Sequence, residues 1–136
     1  QPGVGVWGYA HELGHDFTFV GGNWTYQVKT LESWPNIFTV HAFEKMGLEQ
    51  HKNTVNCTTS SMGSYAMWDA WVGLCFLRQF QLKYGWAFYR DFFAELNKQT
   101  GNKGINNWNK VHDAFETIAG EDITPIFEAW GVPNPG

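Results

Sequence analysis

From Tyr65 onward the apolar side chains recur every three or four residues, and that spacing selects an α-helix. Trp68, Trp71, Val72, Cys75, Phe76 and Phe80 share one face of a helix predicted from about Tyr65 to Tyr84. Gly85 ends it, and Trp86 to Lys98 repeats the pattern with Phe88, Phe92, Phe93 and Leu96. A further helix over Trp108–Ile118 carries Val111, Phe115 and Ile118. Asp122 is positioned to cap a last short helix, with Pro125 in its first turn and Gly131 at its end. Upstream, a helix from Val6 to Phe19 stops at Gly21-Gly22. A second helix starts near Ser33, whose hydroxyl suits the cap, and ends at Gly47. Residues 50–63 read as a polar loop. No stretch alternates with period two, so the fold class expected is mainly α: about five to six helices with little or no sheet.

Composition narrows the function classes. At 136 residues the chain is read as one helical unit, residues 1–136, and 24 of those residues are Trp, Tyr or Phe. With 43% apolar and 16% charged residues it can bury a core. A net charge of −4 without basic runs predicts no nucleic-acid partner. No apolar run reaches the roughly 18 residues that a membrane span requires. The first ten residues show neither a basic stretch nor a long apolar one, so the chain reads as a processed product or an excised piece. Two cysteines, Cys57 and Cys75, allow one bridge. Asn23-Trp24-Thr25 and Asn56-Cys57-Thr58 are glycosylation acceptor sequences.

His11-Glu12-Leu13-Gly14-His15 carries the chemistry. Histidines at i and i+4 stand one above the other on a helix, so both imidazoles can reach one zinc ion. Glu12 lies round the helix from them, placed to take a proton from a metal-bound water. By composition this pentapeptide arises by chance roughly 0.01 times in such a chain. Catalytic zinc keeps three protein ligands and an open position. Asp16, Glu32, His41, Glu44 and Glu49 are the downstream candidates for the third. Glu32, at the start of the second helix beside Leu31 and Trp34, is favoured, with His41 as runner-up. A donor for the oxyanion is also expected, and Tyr26, His41 and Tyr65 are candidates.

Three blocks bring a family into view. HELGHDF, Trp24 and TLESWPNIFTVHAFEKM, then LRQFQLKYGWAFYRDFF, then ITPIFEAWGVP together resemble the enhancin-like, mucin-directed zinc metallopeptidases, the M-sixty peptidase family. The blocks span most of residues 5–133 and are similar to the C-terminal, helical half of the family's catalytic domain. The family's pattern sets a glutamate soon after H-E-x-x-H, then Asn four residues later and an apolar-Phe pair. Glu32, Asn36, Ile37 and Phe38 match it. The resemblance implies gluzincin-type zinc ligands His11, His15 and Glu32, one catalytic zinc ion, and Glu12 as catalytic base. It implies a zinc endopeptidase acting on a protein or glycoprotein substrate, with glycan as a further partner. It also implies that other segments of the same full-length protein complete the cleft, and it points to a secreted or cell-surface location.

Asn36 then becomes a candidate to orient a zinc-bound histidine. Trp24, in a polar connector, becomes the candidate to stack on a sugar. Trp68, Trp71, Trp86, Trp108 and Trp130 recur at helical spacing and are expected in the core. His51 and His112 are expected at the surface, and Arg78 in a structural ion pair. The alternative function is a non-catalytic glycan- or protein-binding module that retains the peptidase fold. A purely structural metal domain would require a fourth protein ligand, and none is obvious.

Overall fold

The rings of Phe76, Phe80, Phe88, Phe92, Phe115 and Phe127 meet centre to centre at about 5–6 Å, mostly edge to face. Around this seam the helices assemble. The structure is a computed structural model and describes residues 33–50, 65–98 and 108–133. Among them are α1 (Ser33–Met46), a 3₁₀ turn (Tyr65–Met67), α2 (Ala70–Tyr84), α3 (Trp86–Lys98), α4 (Trp108–Ala119) and α5 (Thr124–Ala129). No strand occurs among the described residues, so the mainly α reading holds.

Helix α1 is buried on almost every side: Ser33, Trp34, Pro35, Asn36, Ile37, Thr39, Val40 and Phe43 are all inside. A helix enclosed all round packs on several neighbours, and α1 does. The Ser33 hydroxyl donates to the Ala70 carbonyl at 2.8 Å, so it fastens α1 to α2 where a cap was expected. On another side Trp34 stacks on Phe92 of α3, with ring centres 5.5 Å apart. The Trp86 indole N–H of α3 reaches the Glu44 carboxylate at 3.1 Å.

Two helix ends close with the same device. Gly47 and Gly131 take φ of 68° and 71°, a left-handed conformation that glycine adopts without steric cost. This lets Leu48 N–H reach the Phe43 carbonyl and Val132 N–H reach the Phe127 carbonyl, at 2.9 and 3.0 Å. Orphan carbonyls of the last turn are satisfied in both cases.

The long helix expected from Tyr65 starts five residues later. Asp69 is its N-cap, in extended backbone, and its carboxylate accepts from Val72 N–H at 2.8 Å. A short acidic side chain competes for backbone N–H groups and so favours a cap over a helix interior. The Tyr65–Met67 turn is left outside. Asp122 lies one residue further out than expected: its carboxylate accepts from Thr124 N–H at 2.9 Å, while Ile123 is the residue before α5.

Of the tryptophans expected inside, Trp68, Trp108 and Trp130 are buried, while Trp71 and Trp86 are half-buried at the core's margin. Trp68 donates its indole N–H to the Trp130 carbonyl at 3.1 Å. Tyr89 is fully enclosed, and its hydroxyl donates to the Leu77 carbonyl between α3 and α2. Burial pushes that phenol well above its usual pKa, so it stays a neutral donor. His112, expected at the surface, is only 4% exposed. It shares a stripe with Trp108, Val111 and Phe115, because three- and four-residue steps carry it to the inner face of α4.

Cys75 on α2 is disulfide-bonded. Cys57, the other cysteine in the sequence, lies outside the described residues.

Candidate metal centre and its surroundings

His11, Glu12, His15 and Glu32 lie outside the described residues, as do Trp24 and Tyr26 and the helix expected over residues 6–19. The described part holds the flank that follows them in sequence. Asn36, four residues after Glu32 in sequence, is buried at 4% exposure on α1. Ser33 and Thr39 are buried beside it in sequence, and Thr39 donates its hydroxyl back to the Pro35 carbonyl at 3.3 Å.

His41 leaves α1 about 140° round from Asn36, given 3.6 residues per turn. Its ring stands edge-on to Trp86 at 4.5 Å. The two rings line an apolar pocket of about 340 Å³ with Ile37, Phe38, Tyr89, Arg90 and Phe93. Burial, then the charge of Lys45, pull the His41 pKa below its ordinary value, so the ring is neutral near pH 7. Its Nδ1 is buried without a hydrogen-bond partner among the described residues.

Tyr65 has different neighbours. It packs edge-on to Trp68 and Trp108, at 5.1 and 5.9 Å. Burial raises its pKa, so the phenol keeps its proton and remains a donor at neutral pH. Arg78 on α2 is half-buried; burial lowers its pKa and the charge of Glu44 opposes that shift.

One cluster escaped the sequence reading. His112 and Glu116, one turn apart on α4, face Asp122 and Thr124 at the start of α5. His112 Nε2 lies 2.8 Å from Glu116 Oε1 and 2.8 Å from Thr124 Oγ1. One nitrogen of His112 and one carboxylate oxygen each of Glu116 and Asp122, atoms that could hold a metal ion, all lie within 4.8 Å of one another. The signal was present as His and Glu at i and i+4 with an aspartate six residues on, and the expected exposure of His112 hid it.

The described residues form an all-helical unit with polar side chains buried on α1, the architecture expected of a helical subdomain. The sequence pattern of the family described as "Peptidase M60, enhancin and enhancin-like" matches residues 2–131. The chain belongs to that family. It is also 27% identical to TRPM8 channel-associated factor 3 of Rattus norvegicus, over 95% of this chain and 15% of that protein. It is 27% identical to TRPM8 channel-associated factor 2 of Homo sapiens, with the same coverage. A TRPM8 channel-associated factor homolog of Xenopus laevis is 26% identical, over 95% of this chain and 16% of that protein. The chain thus spans about one sixth of the length of these relatives. No solved structure matches it.

Proposed function

We propose that this chain carries the zinc-binding core of an endopeptidase that hydrolyses peptide bonds in glycosylated, mucin-like proteins. One observation carries the reading: the sequence sets His11, Glu12 and His15 in an H-E-x-x-H motif with Glu32 downstream, in a member of a peptidase family. Two imidazoles and one carboxylate suit zinc and leave its fourth position open, as catalytic sites require. When bound, zinc polarises the scissile carbonyl and makes water acidic enough to lose a proton near pH 7.

The chain's own residues do the rest. Glu12 accepts the proton of the attacking water and returns it to the leaving amine. Asn36 orients a ligating imidazole through its side-chain oxygen. Tyr26, His41 or Tyr65 supplies the oxyanion donor. The neutral phenol of Tyr65 has the proton such a donor needs. Trp24 stacks on the substrate's sugar. The disulfide at Cys75 supports a secreted or cell-surface location, where such bonds persist. Among the described residues no helix is long and apolar enough to cross a membrane. Other segments of the full-length protein supply the opposite wall of the cleft.

The test uses full-length protein on O-glycosylated and deglycosylated mucin, with and without a chelator, and reads cleavage sites by mass spectrometry. Glu12→Gln is expected to lower turnover by about 10²- to 10⁴-fold with zinc content unchanged. Unchanged proteolysis in that variant, or protein without stoichiometric zinc, sinks the reading. A second reading is a family member that engages a glycan or a protein partner without cleaving it, and the names of the channel-associated relatives favour its protein-partner form. Persistent binding with no turnover after zinc loading selects it.

A further inference from the structure

His112, Glu116 and Asp122 present more acceptors than they have protons to share. A carboxylate only accepts, so a ring nitrogen facing one must carry a proton or meet a cation. His112 Nδ1 faces Asp113 Oδ1 at 3.2 Å, and Nε2 faces Glu116 Oε1 at 2.8 Å. A neutral imidazole has one N–H, and given to Asp113 it leaves Nε2 as a bare lone pair among the others. The Thr124 hydroxyl lies 2.8 Å from Nε2 and 3.3 Å from Glu116 Oε1, and it brings a single proton for both. Asp122 adds a second carboxylate, already steadied by the Thr124 N–H.

We infer that His112 Nε2, Glu116 and Asp122, with the Thr124 hydroxyl beside them, form a second site for a divalent transition-metal ion that pins α4 to the start of α5. The Asp113–His112 contact supports this beyond the convergence of the three ligands. Metal-bound histidines characteristically give their other ring N–H to a carboxylate, which fixes the ring and strengthens the donor. The ring is 4% exposed and wedged edge-on against Phe127 at 5.2 Å, so its aim is set by packing. One imidazole with two carboxylates suits zinc or manganese; the imidazole speaks against calcium and magnesium, which favour all-oxygen shells. Two negative ligands match the ion's charge. The inference uses none of the residues of the proposed catalytic centre and stands or falls separately from it.

Metal counting on the full 136-residue chain, dialysed against zinc, tests it. Two ions per chain are expected in the wild type, one in His112→Ala, and one in the double variant His11→Ala, His15→Ala. Zinc should raise the Tm of that double variant by about 5–10 °C at saturating metal, and the shift should vanish when His112→Ala is added. Glu116→Gln, at a half-exposed position, tests the same site without opening the core, and it should lose the same ion. Cobalt substitution gives a visible spectrum that reports imidazole and oxygen ligation directly. The inference is overturned if the double variant holds no zinc, or if His112→Ala and Glu116→Gln keep the wild-type count. It is also overturned if ¹⁵N spectra show both His112 ring nitrogens protonated and indifferent to added zinc. Loss of an ion from the His11, His15 variant alone bears only on the catalytic reading.

Discussion

Helices α1 and α4 are of similar length and bury their residues in opposite ways. Helix α4 is amphipathic: Trp108, Val111, His112 and Phe115 turn inward, and the opposite face is largely solvated. Helix α1 is enclosed over most of its length up to Phe43, with its last turn exposed, and takes Ser33, Asn36 and Thr39 into the interior with it. Polar groups inside an apolar fold cost free energy unless each finds a partner. Helix α4 thus closes the core with one apolar face, while α1 carries polar side chains into the interior together with its apolar ones.

The largest effect should come from the rings both helices lend to the core. Trp34→Ala and Phe115→Ala each remove a side chain no more than 1% exposed. Each should lower stability by about 3–5 kcal/mol in urea unfolding, because the surroundings collapse only partly into the space left. If Phe115→Ala is mild, α4 is not the core element described.

Asn36→Ala sharpens the contrast. Truncating a buried amide should destabilise by about 1–3 kcal/mol. If Asn36 orients a zinc-bound histidine, the same change should also weaken zinc binding by about 10- to 100-fold in a competition titration. A loss of stability with unchanged zinc affinity would reduce α1 to a packing element. Asp69→Ala, which uncaps α2, should cost about 1 kcal/mol, and Asp69→Asn should recover most of it.

The smallest effect is at the surface. Lys83 Nζ lies 2.7 Å from Glu121 Oε1, and the Tyr84 hydroxyl also donates to that carboxylate. Hydrogen bonds from Lys83, then Tyr84, hold the Glu121 pKa below its ordinary value. A depressed carboxylate stabilises above its unfolded pKa, and the contribution is lost as pH falls through the folded value. Glu121→Gln should therefore lower the Tm slightly at pH 7, and the difference from wild type should close below about pH 4. Added salt should shrink it as well.

How far these elements can be read from sequence depends on where their determinants lie. Glycines at 47, 85 and 131 mark helix ends because only local backbone freedom is at stake, and all three adopt positive φ. Asp69 broke the helix expected from Tyr65 because its carboxylate takes an N–H that apolar periodicity does not record. His112 was misjudged by residue type: histidine is more often half-exposed than buried, and its partners Asp122 and Thr124 sit on another element. For the proposed zinc site, the pentapeptide and spacing suggest the donor set, while the burial of Asn36 needed three dimensions. The pocket beside His41 was also invisible, since its walls come from α1 and α3, more than forty residues apart.

The bond from the Trp68 indole to the Trp130 carbonyl joins residues 62 positions apart. Both rings are buried, so until Trp130 arrives the Trp68 N–H has only water to bond. Closing a loop of that length is costly in chain entropy and gains nothing until the contact forms. On the ribosome, helices α1 to α4 emerge before the residue that completes their aromatic core. The growing chain must therefore carry an unsealed apolar face until its last fully enclosed tryptophan is made, and that interval is when the fold is most exposed to aggregation.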